Sequence, residues 1–180
     1  MKQIFITLSL ILSLSSCVSE DNYKDFTEQN ESEILAFIDE QNLNAEKTDS
    51  GLYYVIEDEG TGLQPTPYDK VTINYTGYFL DGEVFGESIE EGSILALPGL
   101  IYGLAEGIPL FKEGGAGKLI VPSRLAYGSN DYQGIPGGSV LAFNIELLSV
   151  NYSKENEEEI TAYLAENDLI SSAVETESGL

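Results

Sequence analysis

Histidine and tryptophan are missing from this 180-residue chain, and cysteine and methionine occur once each. Without His, the usual general base and the commonest metal ligand are gone. The lone Cys17 excludes an intramolecular disulfide and a Cys-rich zinc site. Basic residues are scarce too: eight Lys and Arg stand against 31 Asp and Glu, a net charge of −23. Nucleic acid is disfavoured as a partner, because its phosphates need cationic side chains to displace counterions. A polybasic grip on anionic lipid is disfavoured for the same reason. The charge describes a solvated, self-repelling surface and says little about the fold. No metal and no cofactor are expected.

Core material is plentiful, with 42% apolar residues, eleven Tyr and seven Phe, enough for one domain with flanking pieces. At the start, Lys2 precedes an apolar run from Ile4 to Leu14, followed by Ser15-Ser16-Cys17. This pattern predicts a secretory signal over 1–16, since a membrane span needs about 20 apolar residues. Leu14-Ser15-Ser16-Cys17 resembles the bacterial lipobox, in which the cysteine is lipidated. Cys17 is therefore expected to carry a lipid anchor that holds the folded part at the cell envelope, outside the inner membrane. The acidic, aperiodic stretch 17–29 reads as a tether.

The chain is organised around 71–85, VTINYTGYFLDGEVF. Val71, Ile73, Tyr75 and Phe79 alternate with polar neighbours, the period of a strand with one buried face. Asp81-Gly82 follows, a dipeptide suited to a tight hairpin, and Val84-Phe85 starts the return. Upstream, Asn30 stands three residues before Glu33, a capping-box-like start, so 30–43 is predicted as a short amphipathic helix and 44–50 as linker. Strands are expected at 52–56, 94–97, 119–121 and 140–150, and a compact helical stretch at 100–110. The loop after Tyr127 is rich in Gly and Pro, and its length suggests a functional role. The layout is α+β: antiparallel strands with a short helix to cover a face. At the far end, 156–164 repeats 30–38, and Thr176-Glu177-Ser178-Gly179-Leu180 repeats Thr48-Asp49-Ser50-Gly51-Leu52. Residues 151–180 thus read as an acidic helix and linker prefacing a second copy of the 51–150 domain.

Three pieces in order carry a resemblance: VTINYTGYFLDGEVF, LIYGLAEGIPLFKEGGAGKLIVPSRLAYG and GIPGGSVLAFNIELLSV. Together they resemble the FKBP family of peptidyl-prolyl isomerases, over nearly the whole domain. The resemblance implies an antiparallel sheet curled around a short helix, with a hydrophobic pocket between them that receives a proline ring. Carried over, the catalytic positions are Tyr75, Phe85, Ile101, Tyr127 and Phe143, and the substrate-binding positions are Ile94, Leu100, Leu104 and Ile135. In the family, the amide matching Ile101 and the hydroxyl matching Tyr127 bind carbonyls flanking the proline. The implied partners are proline-containing polypeptides, with macrolides as a further ligand class. Two departures stand out. Leu104 replaces the usual Trp floor, and Phe85-Gly86 replaces the usual Phe-Asp, whose carboxylate accepts a hydrogen bond from the tyrosine matching Tyr75. Glu87 is one step along the strand and is expected to face the other way unless a bulge intervenes. The resemblance implies an isomerase that assists folding of exported proteins. A binding module that holds proline-containing segments without turnover is the alternative, and a structural lipoprotein that merely keeps the fold is a third.

Overall fold

The computed structural model describes residues 24–89, 91–151 and 162–166. The stretch 1–16 expected to be a signal and Cys17 lie outside the described residues, as does most of the expected repeat, of which 162–166 are helical.

The hairpin strand is the hub of the sheet. Strand β3 (Lys70–Phe79) pairs along its whole length with β7 (Leu141–Asn151), from Lys70↔Asn151 to Phe79↔Leu141. Its other edge is shared by β4 (Val84–Glu87) and β5 (Ser93–Ala96). Beyond β7 come β6 (Ala116–Val121), β2 (Tyr53–Asp58) and the two-residue β1 (Glu46–Lys47). Every pairing is antiparallel. The Asp81-Gly82 turn closes as the sequence suggests: Gly82 has φ +93°, its N–H donates to the Phe79 carbonyl, and Asp81 accepts from the Glu83 N–H.

Period-two alternation sorts the sheet into two faces. Leu119, Val121, Leu141, Phe143 and Ile145 join Val71, Ile73, Leu52 and Phe111 in the larger core on one face. Tyr53 and Ile120 point to the other, where they meet Ile34 and Phe37 of α1 (Thr27–Glu40). Fully burying side chains such as Ile34 and Phe37 is worth about 1.5–3 kcal/mol each, which explains why a short acidic helix holds its place.

The larger core is covered by 97–110, which takes in the compact stretch anticipated as helical at 100–110 and begins three residues before it. It folds as a 3₁₀ turn Leu97–Gly99, helix α2 (Tyr102–Gly107) and a second 3₁₀ turn Ile108–Leu110. Gly103 and Gly107, four apart, lie on one face of α2. A Cβ at Gly103 would come within 2.3 Å of Val121, and one at Gly107 within 2.5 Å of Leu119. The two glycines let α2 sit directly on β6. That close seating leaves Leu100, Ile101 and Leu104 to face the opening beside it.

Two boundary expectations need correction. The first helix begins at Thr27 rather than Asn30, so the polar stretch read as a tether to residue 29 is already helical at its end. Asn30 is not a cap: it lies inside α1, 1% exposed, and its carboxamide bonds to residues far along the chain. A cap signal and a buried polar contact use the same residue type, and only packing tells them apart.

Candidate active site

A cleft of about 600 Å³ opens between α2, β3, β4 and the loop from β6 to β7. The size is that of a small-ligand site. Its apolar wall contains Tyr75, Phe85, Leu100, Ile101, Leu104, Tyr127, Ile135 and Phe143, eight of the nine positions carried over by resemblance. The ninth, Ile94, is not there. It is 70% exposed on β5, and its neighbour Leu95 lines the cleft instead. A one-residue slip in register along a strand moves a side chain to the opposite face.

The aromatic part of the wall is built across three strands. Phe85 sits edge-on to Phe143, ring centroids 5.7 Å apart at 85°, and is tilted against Phe79 at 5.2 Å. Both arrangements suit the ring quadrupoles. Gly77 makes room for them, since a Cβ there would meet Phe85 at 2.7 Å and Phe143 at 2.9 Å. Phe85 occupies a bulge: β3 pairs Gly77 with Gly86 but Tyr78 with Val84. The extra residue lets Phe85 and Gly86, adjacent in sequence, both border the cleft. A Cβ at Gly86 would meet nothing within 4 Å, so the position of the family's carboxylate is open space. Glu87 pairs with Thr76 and does not line the cleft even with the bulge present, and the acidic side chain that does line it is Glu83.

Two donors belong to residues that line this cleft. The Ile101 residue ahead of α2 accepts at its carbonyl from Leu104 and Ala105, while its N–H has no partner among the described residues. First-turn amides lack intrahelical acceptors, so such an N–H is available to a ligand carbonyl. The Tyr127 hydroxyl likewise makes no hydrogen bond among the described residues. Burial, followed by the neighbouring Tyr132 and Tyr75, pushes the Tyr127 hydroxyl above its usual range. It therefore remains a neutral donor through the physiological range.

The loop supplies five lining residues, Tyr127, Tyr132, Gln133, Gly134 and Ile135. Tyr127 and Tyr132 stack with centroids 4.5 Å apart and planes 11° from parallel. Tyr132 and Ile135 exchange backbone hydrogen bonds of 2.9 and 2.8 Å around Gln133-Gly134, a miniature hairpin at the cleft edge. Sequence reasoning missed Tyr132, Gln133, Phe79, Leu95 and Glu83. The loop's length pointed to Tyr132 only in general terms, and the parity of β5 was the available signal for Leu95.

Comparison with known proteins is consistent with this geometry. Residues 62–148 match the family described as FKBP-type peptidyl-prolyl cis-trans isomerase. Among curated proteins, the FKBP-type peptidyl-prolyl cis-trans isomerase FkpA of Escherichia coli is 43% identical over 107 residues, 58% of this chain and 40% of its own length. The crystal structure of that organism's FkpA superposes with a TM-score of 0.60 at 32% identity, covering 70% of this chain and 62% of the other. A peptidyl-prolyl cis-trans isomerase structure from Pseudomonas syringae shares the fold, with TM-score 0.62 and 24% identity over 72% of this chain and 98% of that one. The matched segment spans about two fifths of the length of the curated relatives.

Proposed function

Because residues 62–148 form a domain of the FKBP-type peptidyl-prolyl cis-trans isomerase family, we propose that the cleft takes a proline ring and catalyses rotation of the X–Pro amide preceding it. The observation that carries this reading is the cleft itself: aromatic and aliphatic walls with two donors that have no partner among the described residues, the Ile101 N–H and the Tyr127 hydroxyl.

Rotation needs no nucleophile, base or metal, which suits a chain without His. The barrier is the ~18–20 kcal/mol of amide resonance, and uncatalysed X–Pro exchange takes tens to hundreds of seconds. The planar amide is more polar than the twisted transition state, so transfer into a dry apolar cleft raises the ground state relative to it. The two donors fix the carbonyls on either side of the proline while the bond between them turns. Acceleration follows only if the walls hold the twisted geometry better than either planar isomer. A thousandfold effect corresponds to ~4 kcal/mol of that preference.

Leu104 and Gly86 favour a second reading, a module that binds proline-containing segments with little turnover. A smaller floor and a missing carboxylate weaken transition-state contacts without closing the cleft. We also read Cys17 as the lipid attachment site, the clients as exported polypeptides, and macrolides as weaker ligands of the same cleft. Loss of labelled lipid from Cys17→Ser tests the anchor. Isomerisation of a panel of prolyl tetrapeptides by NMR exchange tests the enzyme. Acceleration by micromolar protein is expected; binding without acceleration leaves only the module.

A further inference from the structure

The outer face of the sheet carries a contact that reaches the cleft from behind. Asn30 is a weak helix former placed inside α1, which argues that its role is tertiary. Its side-chain oxygen accepts from the Ser123 N–H at 2.8 Å, and its side-chain nitrogen donates to the Gly138 carbonyl at 2.8 Å. Ser123 and Gly138 are the two stems of the loop that brings Tyr127, Tyr132 and Ile135 to the cleft. Within the loop, the Gly128 N–H donates to the Ser123 carbonyl and the Gly138 N–H to the Gly128 carbonyl, both at 2.8 Å. The bonds run in a ring from Asn30 through Ser123, Gly128 and Gly138 back to Asn30, and Tyr127 is next to one of its members. The Phe26 ring, one residue ahead of α1, covers Gly138: a Cβ there would lie 2.3 Å from it.

We propose that Asn30 is a positioning residue for the cleft, clamping both stems of the 123–138 loop from the far side of the sheet and so setting where the Tyr127–Tyr132 pair stands. The inference rests on the isomerase reading. Without the clamp, two buried backbone groups lose their partners and the loop samples arrangements in which the cleft wall is incomplete. Apparent affinity falls by the fraction of molecules that remain competent, whereas turnover of bound substrate is unchanged. A role confined to holding α1 in place would lower thermal stability and leave KM alone.

Asn30→Leu, which keeps the branched outline but puts methyls in place of the polar atoms and so removes the bonds to Ser123, Gly138 and Glu33, is compared with Asn30→Asp, which keeps the acceptor for Ser123. KM for a prolyl tetrapeptide is expected to rise about tenfold in the first and less in the second, with kcat within about twofold. Amide exchange at Gly128 and Gly138 should quicken in parallel, while the β3–β7 ladder keeps its protection. Unchanged KM and unchanged exchange in both folded variants overturn the clamp. If neither variant folds, the wild-type chain decides: Ser123, Gly128 and Gly138 amides opening together support it, and independent opening overturns it. Absence of wild-type turnover, with the exchange result as expected, sinks the isomerase reading and leaves the clamp standing.

Discussion

The cleft floor can be rebuilt, and the native composition supplies the assay. The chain contains no Trp, so Leu104→Trp places a unique fluorophore beside Ile101 and Leu100 in the cleft. Leu104 is half-buried there, and the cleft volume of about 600 Å³ leaves space for the larger ring together with a ligand. An indole offers roughly 50–80 Å² more apolar contact to a bound proline and its neighbours. At about 25 cal/mol per Å² that amounts to ~1–2 kcal/mol, or about fivefold to thirtyfold tighter peptide binding. The expected readout is a blue-shifted, ligand-sensitive Trp emission titrating with a prolyl tetrapeptide, alongside a lower KM. If the new contacts act equally on planar and twisted amide, kcat stays put; a rise in kcat means they favour the twisted form. Emission of an exposed indole that ignores saturating peptide, with KM unchanged, would refute Leu104 as floor and the cleft as binding site.

Other outcomes follow from neighbouring contacts. Gly77→Ala forces the Phe85 and Phe143 rings apart, so it should cost about 1–3 kcal/mol in urea unfolding and abolish peptide binding more completely than its stability loss explains. Tyr127→Phe keeps the stack on Tyr132 and removes only the donor; kcat/KM should fall about threefold to tenfold, with Tm nearly unchanged because the hydroxyl has no hydrogen-bond partner among the described residues to lose. Activity should be flat from neutral pH to pH 9, since burial raises rather than lowers the Tyr127 ionisation; a loss near neutral pH contradicts that assignment. Glu31 is held below its ordinary 4.5 by hydrogen bonds from Lys47 and then Tyr53. Its folded-state value is depressed, so the stability it adds is present above pH 4.5 and lost as pH falls through the lower, folded value. The Tm gap between wild type and Glu31→Gln should therefore be small, constant at neutral pH and vanish on acidification; a gap that widens in acid refutes the pairing. The pair is exposed to solvent, which keeps its contribution modest.

Local signals were read successfully where physics is local. Alternation marked β3 and β7, Asp81-Gly82 marked the turn, and the spacing of 100–110 marked the cover over the core. Each depends only on residues a few positions apart. Readings failed where the deciding neighbour was distant. Asn30 has the chemistry of a cap, yet its partners are 93 and 108 residues away. Ile94 and Leu95 are equally apolar, and only the register against β3, Thr72↔Ile94 and Val71↔Leu95, settles which one faces the cleft.

What the amino-acid order determined alone is the set of longer strands, the hairpin at their centre and the α+β class, because periodicity and turn chemistry are short-range. Most of the wall-forming side chains came instead from the family resemblance, and the two-residue β1 lay in a stretch read as linker. Tertiary structure alone decided that a bulge turns Phe85 and Gly86 to the same cleft, that two glycines let α2 settle on β6, and that Tyr132 stacks on Tyr127. It also decided that α1 ties down the loop bearing that pair. Those features arise from contacts between segments far apart in sequence, where packing and hydrogen-bond satisfaction over the whole molecule choose among local options that are otherwise nearly equal in free energy.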